Sequence, residues 1–235
     1  MIARTPTGSR ILDSLLAGGY ENDIITTIYG PAGSGKTILA MLCATQVARS
    51  GKKVIYIDTE GSFSPERLSQ VAQDHLKVLD NMVFFMPLSF AQQKEAFDKL
   101  RSAVSDTTGL IVVDSIAMLY RIEAGRTTKI WEINRALGEQ ISFLTEIARK
   151  RKIPVLITNQ VYANFEKKNE VMMVGGDLLR NGSKCLLELQ ITAQGNRKCS
   201  VRKHRSIREN RHIFFRIVQT GILGTKEETH DGKRR

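Results

Sequence analysis

Hydrophobic and polar positions along this chain alternate between a strand period and a helix period. Short apolar runs of strand type occupy residues 23–29, Lys53–Asp58, 81–86, 109–114 and 154–159. Helical patterns lie between them, beginning with Lys36–Arg49. Ser64, Pro65 and Glu66 open another helix, supplying an N-cap, a proline at the first helical position and an acid in the first turn. Ser89 and Gln92 have the spacing of a capping box and predict a helix to about Ser105. Ile130, Ile133, Leu137, Ile141, Leu144 and Ala148 recur at spacings of three and four, one apolar stripe on a long helix. The run 109–114 is apolar without interruption, as expected of a parallel strand covered on both faces.

The rhythm changes after residue 160. Residues 161 to 177 read as a long structureless stretch, a length that in a compact domain marks a functional or disordered loop. Residues 184–192, 198–203 and His212–Val218 then read as successive strands with no helix between them. The pattern predicts an α/β fold: a mostly parallel central sheet with antiparallel C-terminal strands, in one domain over residues 1–225. Residues 226–235 form a polar, basic tail.

The turn after the first strand reads Gly30-Pro31-Ala32-Gly33-Ser34-Gly35-Lys36-Thr37, a phosphate-binding loop in its required strand-to-helix context. Small residues let backbone N–H groups approach phosphates, and the helix N-terminus adds positive potential. Lys36 is placed to reach the β- and γ-phosphates of ATP, and the Thr37 hydroxyl to coordinate Mg²⁺. Asp114 ends an apolar strand, where a parallel sheet points its carboxyl ends at the ligand crevice, and is the candidate second metal residue. Glu60, just past Lys53–Asp58, is either the group that activates water or a surface loop acid.

Composition narrows the function classes. The 235 residues are 42% hydrophobic, enough for one well-filled core, and no apolar run approaches the length of a membrane span. The first residues lack a signal-peptide h-region, which predicts a cytoplasmic protein without membrane attachment. Three cysteines without paired spacing and four scattered histidines argue against a disulfide framework or a protein-only metal site. The formal net charge is +11, and from Arg197 to Arg216 eight Lys/Arg face one acid, so a polyanionic partner fits.

The segment from Thr59 through Gly61, Phe63 and Pro65 to Arg67 resembles the ATPase core of the RecA/RadA recombinases when read with the phosphate loop. Val113-Asp114-Ser115, Thr158-Asn159-Gln160-Val161, Thr7-Gly8-Ser9 and Val174-Gly175-Gly176-Asp177 carry the same resemblance, which spans about residues 4 to 224. It implies a RecA-like fold with ATP and Mg²⁺ as ligands. Glu60 then matches the acid that activates the attacking water, Arg67 an arginine near the adenine, and Gln160 the sensor of the γ-phosphate. The stretch after Gln160, with Tyr162, Phe165, Lys167 and Lys168, matches a DNA-binding loop. The stretch with Arg121, Arg126 and Lys129 matches a second. Aromatic residues are only 6% of the chain, so contacts to DNA are expected mainly at phosphates, independent of sequence and sensitive to salt. Lys203 and Arg205 belong either to a finger reaching a neighbouring subunit's nucleotide or to a DNA-facing basic strip.

Two departures shape the expectation. The sequence begins almost at the ATPase core, leaving no room for the helix-hairpin-helix domain of RadA. The family's Phe-x-x-Ala polymerisation segment is also missing, since the first Phe is Phe63. The pattern resembles short archaeal paralogues that assist RadA. The expected protein is an ATP- and DNA-binding accessory of recombination and repair, a homodimer or small oligomer with weak hydrolysis, partnered by RadA. The alternatives are a DNA-dependent strand-exchange ATPase and a KaiC-like regulatory ATPase that does not bind DNA.

Overall fold

A computed structural model describes residues 2–163 and 171–225. The elements run β1 (Arg4–Thr5), α1 (Arg10–Leu15), β2 (Tyr20–Glu21), β3 (Ile25–Gly30), α2 (Lys36–Arg49), β4 (Lys53–Asp58), α3 (Pro65–Val71), α4 (His75–Leu79) and β5 (Met82–Phe85). They continue as α5 (Phe90–Ala103), β6 (Thr108–Asp114), α6 (Met118–Ala124), α7 (Ile130–Arg151), β7 (Val155–Ala163), β8 (Val171–Met173) and α8 (Gly176–Gly182). The C-terminal strands are β9 (Cys185–Ile191), β10 (Arg197–Lys203), β11 (His212–Val218) and β12 (Gly221–Thr225). No helix among the described residues is long and apolar enough to cross a membrane.

The main sheet has the order β12-β11-β10-β9-β3-β7-β6-β4-β5, with β8 paired to β7. Neighbours from β9 to β5 are parallel, and β9 through β12 pair antiparallel, so the mixed sheet expected from the pattern is present. Both faces are covered, which explains the unbroken apolar strands. Val54, Tyr56, Leu110, Val112 and Leu156 enter one core with α2, while Ile55, Ile57, Ile111, Val113, Val155 and Ile157 enter another with α7. Each such fully buried aliphatic side chain contributes about 1.5–3 kcal/mol relative to exposure.

Local signals act as the residue types dictate. The Ser64 hydroxyl caps α3 by accepting from the Arg67 N–H at 3.1 Å. Ser89 caps α5 through the Gln92 N–H at 3.2 Å. The reciprocal half of that box differs from expectation: the Gln92 side-chain Oε1 accepts from the Leu88 N–H at 2.8 Å, and not from that of Ser89. Ile130 leaves the predicted apolar stripe and stands exposed at the first position of α7, outside the small core that Ile133 joins.

Two further expectations are corrected. Residues 161–163 and 171–177 are not structureless: β7 continues through Ala163, β8 pairs antiparallel to it with Val161 opposite Met173, and α8 starts at Gly176. The β-favouring residues Val161, Tyr162, Val171 and Met172 form the arms, and their spacing across a polar centre hides the hairpin from a periodicity reading. Arg121 lies in helix α6 and not in a loop, because Leu119 anchors that short helix against Phe90, Ile133 and Ala136. Phe165, Lys167, Lys168 and the tail 226–235 lie outside the described residues.

Candidate nucleotide site

The carboxyl ends of β3, β4, β6 and β7 converge, and each delivers one candidate residue or loop. From β3 the chain enters the loop Gly30 to Gly35 before α2. Its glycines have separate reasons. A Cβ at Gly30 would lie 2.4 Å from the Leu189 carbonyl oxygen, and Gly33 and Gly35 adopt φ of +70° and +102°. Those positive φ values turn successive backbone N–H groups inward. The Ser34 hydroxyl is buried in this cradle without a hydrogen-bond partner.

Lys36 folds back over the loop, and its Nζ donates to the carbonyls of Gly30 at 3.0 Å and Pro31 at 2.9 Å. Burial pulls its pKa down, while the Glu60 and Asp114 carboxylates push it back up. The Thr37 hydroxyl is 3.4 Å from the Ser62 Oγ, which donates to Asp114 Oδ2 at 3.1 Å. Tyr56 donates to the same oxygen at 2.9 Å, and Thr158 donates to Oδ1. Burial raises the Asp114 carboxyl above the usual range, against the hydrogen bonds from Thr158, Thr37 and Tyr56 that lower it.

Glu60 and Gln160 meet although a hundred residues separate them. The Gln160 Nε2 donates to both Glu60 oxygens, at 3.1 and 3.0 Å, and Ser115 donates to Oε1 at 2.6 Å. Of the two readings left by sequence, a surface loop acid and a water-activating acid, this half-buried, amide-paired position fits the second better.

Sequence reasoning missed the groups that hold these in place. Asp58 is 2% exposed and accepts the backbone N–H groups of Glu60 at 3.2 Å, Ser62 at 3.1 Å and Phe63 at 3.0 Å. An Asp at a strand end signals either a turn or a ligand, and here it organises the loop that carries Glu60. Arg197, at the start of β10, donates to the Gly33 carbonyl at 3.0 Å and supports the cradle from outside. Nothing in its basic neighbourhood distinguished it in sequence.

The remaining candidates are more dispersed. Arg67 is tied to the turn after β11 through the Val218 carbonyl at 2.6 Å and the Gln219 carbonyl at 3.0 Å. Ile217 of the same strand would lie 3.1 Å from a Cβ at Gly35, so Arg67 sits beside the outer lip of the cradle. Lys203 and Arg205 are elsewhere. The register Arg197↔Ile191 and Lys203↔Leu186 puts Arg197 at the cradle end of the sheet and Lys203 at the opposite end. Lys203 donates to the Arg180 carbonyl at 2.6 Å. Arg205 is engaged by Glu21 and by Asp23 at 2.8 Å. Arg126 and Lys129 are exposed between α6 and α7, and Tyr162 is exposed on β7.

A strand-end acid, a hydrogen-bonded Glu–Gln pair and a glycine cradle on this strand order match the expected RecA-type arrangement. The Rad51 family profile matches residues 1–225. The chain belongs to the Rad51 family. Within it, a DNA repair and recombination protein RadB of Methanobrevibacter smithii is 37% identical, covering 94% of this chain and 95% of that one. The protein of the same name from Thermococcus kodakarensis is 39% identical, covering 92% and 97%. The crystal structure of a RadB recombinase is 36% identical with a TM-score of 0.80, covering 94% of this chain and 100% of that one. The match to this Rad51 family member confirms the RecA-like fold and the resemblance to short RadA paralogues.

Proposed function

We propose that this Rad51 family protein is an ATP- and DNA-binding accessory of homologous recombination and DNA repair, in which ATP acts as a conformational ligand more than as fuel. The observation that carries this reading is the pairing of Gln160, within β7, with Glu60. The same strand runs on through Val161 and Tyr162 into the β7–β8 hairpin. A γ-phosphate that drew the Gln160 amide away from Glu60 would bias the hairpin directly, a two-state element responding to a ligand.

The cradle fits MgATP. Inward N–H groups, the unpartnered Ser34 hydroxyl and the Lys36 ammonium are all donors suited to phosphate oxygens. No three His, Cys, Asp or Glu side chains converge among the described residues. Thr37 and Asp114 would therefore hold Mg²⁺ together with phosphate oxygens, as such a cation commonly requires. Bound Mg²⁺ supplies neutralisation of the charge on the β- and γ-phosphates.

The chain's own residues do the rest. Lys36 exchanges its two carbonyl partners for phosphate oxygens. Glu60 orients and polarises a water, held in position by Ser115 once Gln160 has turned to the γ-phosphate. Arg67 lies beside the place for the base. Arg121, Arg126, Lys129 and Tyr162 form the DNA-facing side, joined by Lys167 and Lys168, which lie between β7 and β8 in sequence. Lys203 and Arg205, at the far end of the sheet, are positioned for a neighbouring molecule; use of Arg205 there requires release of its carboxylate partners. RadA is the proposed protein partner, and the domain assignment of residues 1–225 to one ATPase core follows the sheet.

The test is DNA affinity against salt. Each phosphate contact contributes a slope of about −0.7 in log K against log salt on single strands. A slope steeper than about −2, falling by close to one contact in Lys129→Ala, is expected. A slope near zero rules out a DNA-binding role. Gln160→Ala should keep the salt slope and lose the difference in DNA affinity between ATP and ADP; retention of that difference removes Gln160 as the sensor.

A further inference from the structure

The single tryptophan of the chain stands on the surface. Trp131 is 64% exposed at the first turn of α7, beside Ile130 at 49%, directly after the basic stretch ending in Lys129. A large aromatic side chain left in water needs a reason, because burying it contributes more than burying most other residues. Its own fold makes no use of it. Phe90, Leu119, Ile133 and Ala136 close the small core beneath, and Trp131 lies outside that cluster.

The surroundings have the chemistry of a nucleic-acid stacking platform. Trp131 lines a shallow notch of about 330 Å³ with Lys94, Glu132, Arg135, Ala136 and Glu139. The acids there are engaged by cations, Glu132 by Lys129 at 3.4 Å and Glu139 by Arg135 at 2.9 Å. Exposed pairs of this kind are worth little and yield readily to a phosphate. Trp131 and Asn134 are three residues apart on one helix and share a face. Asn134 accepts from the Tyr120 hydroxyl at 2.6 Å, and Tyr162 is close enough to Tyr120 to help raise its pKa. The face of α7 bearing Trp131 therefore adjoins α6 at Tyr120.

We infer that Trp131 stacks on a base of single-stranded DNA, making the start of α7 an aromatic platform flanked by the cations Arg126, Lys129 and Lys94. A duplex keeps its bases stacked on each other, so the platform selects single strands. This rests on the proposed DNA-binding role, and the two can fail separately.

Because the chain has one tryptophan, its emission reports this site alone. A thymidine oligonucleotide should quench that emission, and a duplex of equal length should not. Trp131→Ala should weaken single-strand binding, read by fluorescence anisotropy of a labelled oligonucleotide, by about 5- to 150-fold, the range for loss of one base–aromatic stack. Trp131→Phe should recover much of the loss. Unchanged thermal unfolding of both variants is expected for so exposed a position. DNA binding with unperturbed emission and wild-type affinity in Trp131→Ala overturns the inference and leaves the DNA-binding role standing. Absence of any DNA binding by the wild type at low salt overturns both. An emission shift that follows protein concentration without DNA assigns the indole to a contact between copies and also overturns it.

Discussion

Lys36→Ala will weaken MgATP binding by about two to four orders of magnitude while the protein stays folded. The Nζ satisfies only the Gly30 and Pro31 carbonyls in the structure, at 3.0 and 2.9 Å. Those carbonyls border the cradle and can take up water once the ammonium is gone. The proposed role exchanges them for two phosphate oxygens. Each charge-assisted hydrogen bond contributes about 1.5–3 kcal/mol, so two give about 3–6 kcal/mol, or about 10²- to 10⁴-fold in affinity. Isothermal titration with MgATP measures the loss directly, and thermal unfolding checks the fold. Affinity within about threefold of wild type would mean that the lysine remains on its carbonyls and the cradle binds phosphate without it.

Asp58→Ala will have the largest effect on stability among the site residues, about 2–4 kcal/mol. Its carboxylate is buried and accepts three backbone N–H groups of the loop 60–63. Hydrogen bonds to a charged group are stronger than neutral ones, and removal of the acceptor leaves donors of a half-buried loop without partners. For a chain of this size 1 kcal/mol corresponds to about 2–4 °C, so the expected fall in melting temperature is about 4–16 °C. The loop also carries Glu60 and Ser62, so the loss should extend to nucleotide turnover. Asp58→Asn keeps one acceptor oxygen and should fall between. A melting temperature equal to wild type would show that the loop holds its shape without this residue.

The difference between these two residues shows what a single sequence makes legible. Lys36 is readable because its role follows from a contiguous motif in a fixed strand-to-helix context. Asp58 is not, because its acceptors are set by a loop conformation that no periodicity encodes. The parallel strands were legible for a related reason: residues such as Val54 and Ile55 are buried on opposite faces, and double coverage leaves unbroken apolar runs. The β7–β8 hairpin was missed because each arm is short and the polar residues between them resemble a loop. Glu60 and Gln160 were nominated separately by resemblance, yet their mutual hydrogen bonds are a property of the β4–β6–β7 arrangement. Arg197 was invisible in a strip rich in Lys and Arg; only the 3.0 Å contact to Gly33 separates it from its neighbours. Trp131 was passed over because a low aromatic content argues against stacking in general, and exposure is read from packing and not from composition.

In the proposed function, nucleotide and DNA sites are coupled through Gln160 and the hairpin. Coupling between sites is reciprocal, so DNA must change ATP affinity by the factor with which ATP changes DNA affinity. The most direct measurement is the dissociation constant of a non-hydrolysable ATP analogue with and without saturating single-stranded DNA, in wild type and in Gln160→Ala. A change of about 5- to 150-fold in wild type that disappears in Gln160→Ala is the predicted result. An analogue affinity that DNA leaves unaltered in wild type would contradict the account, whatever each ligand does alone.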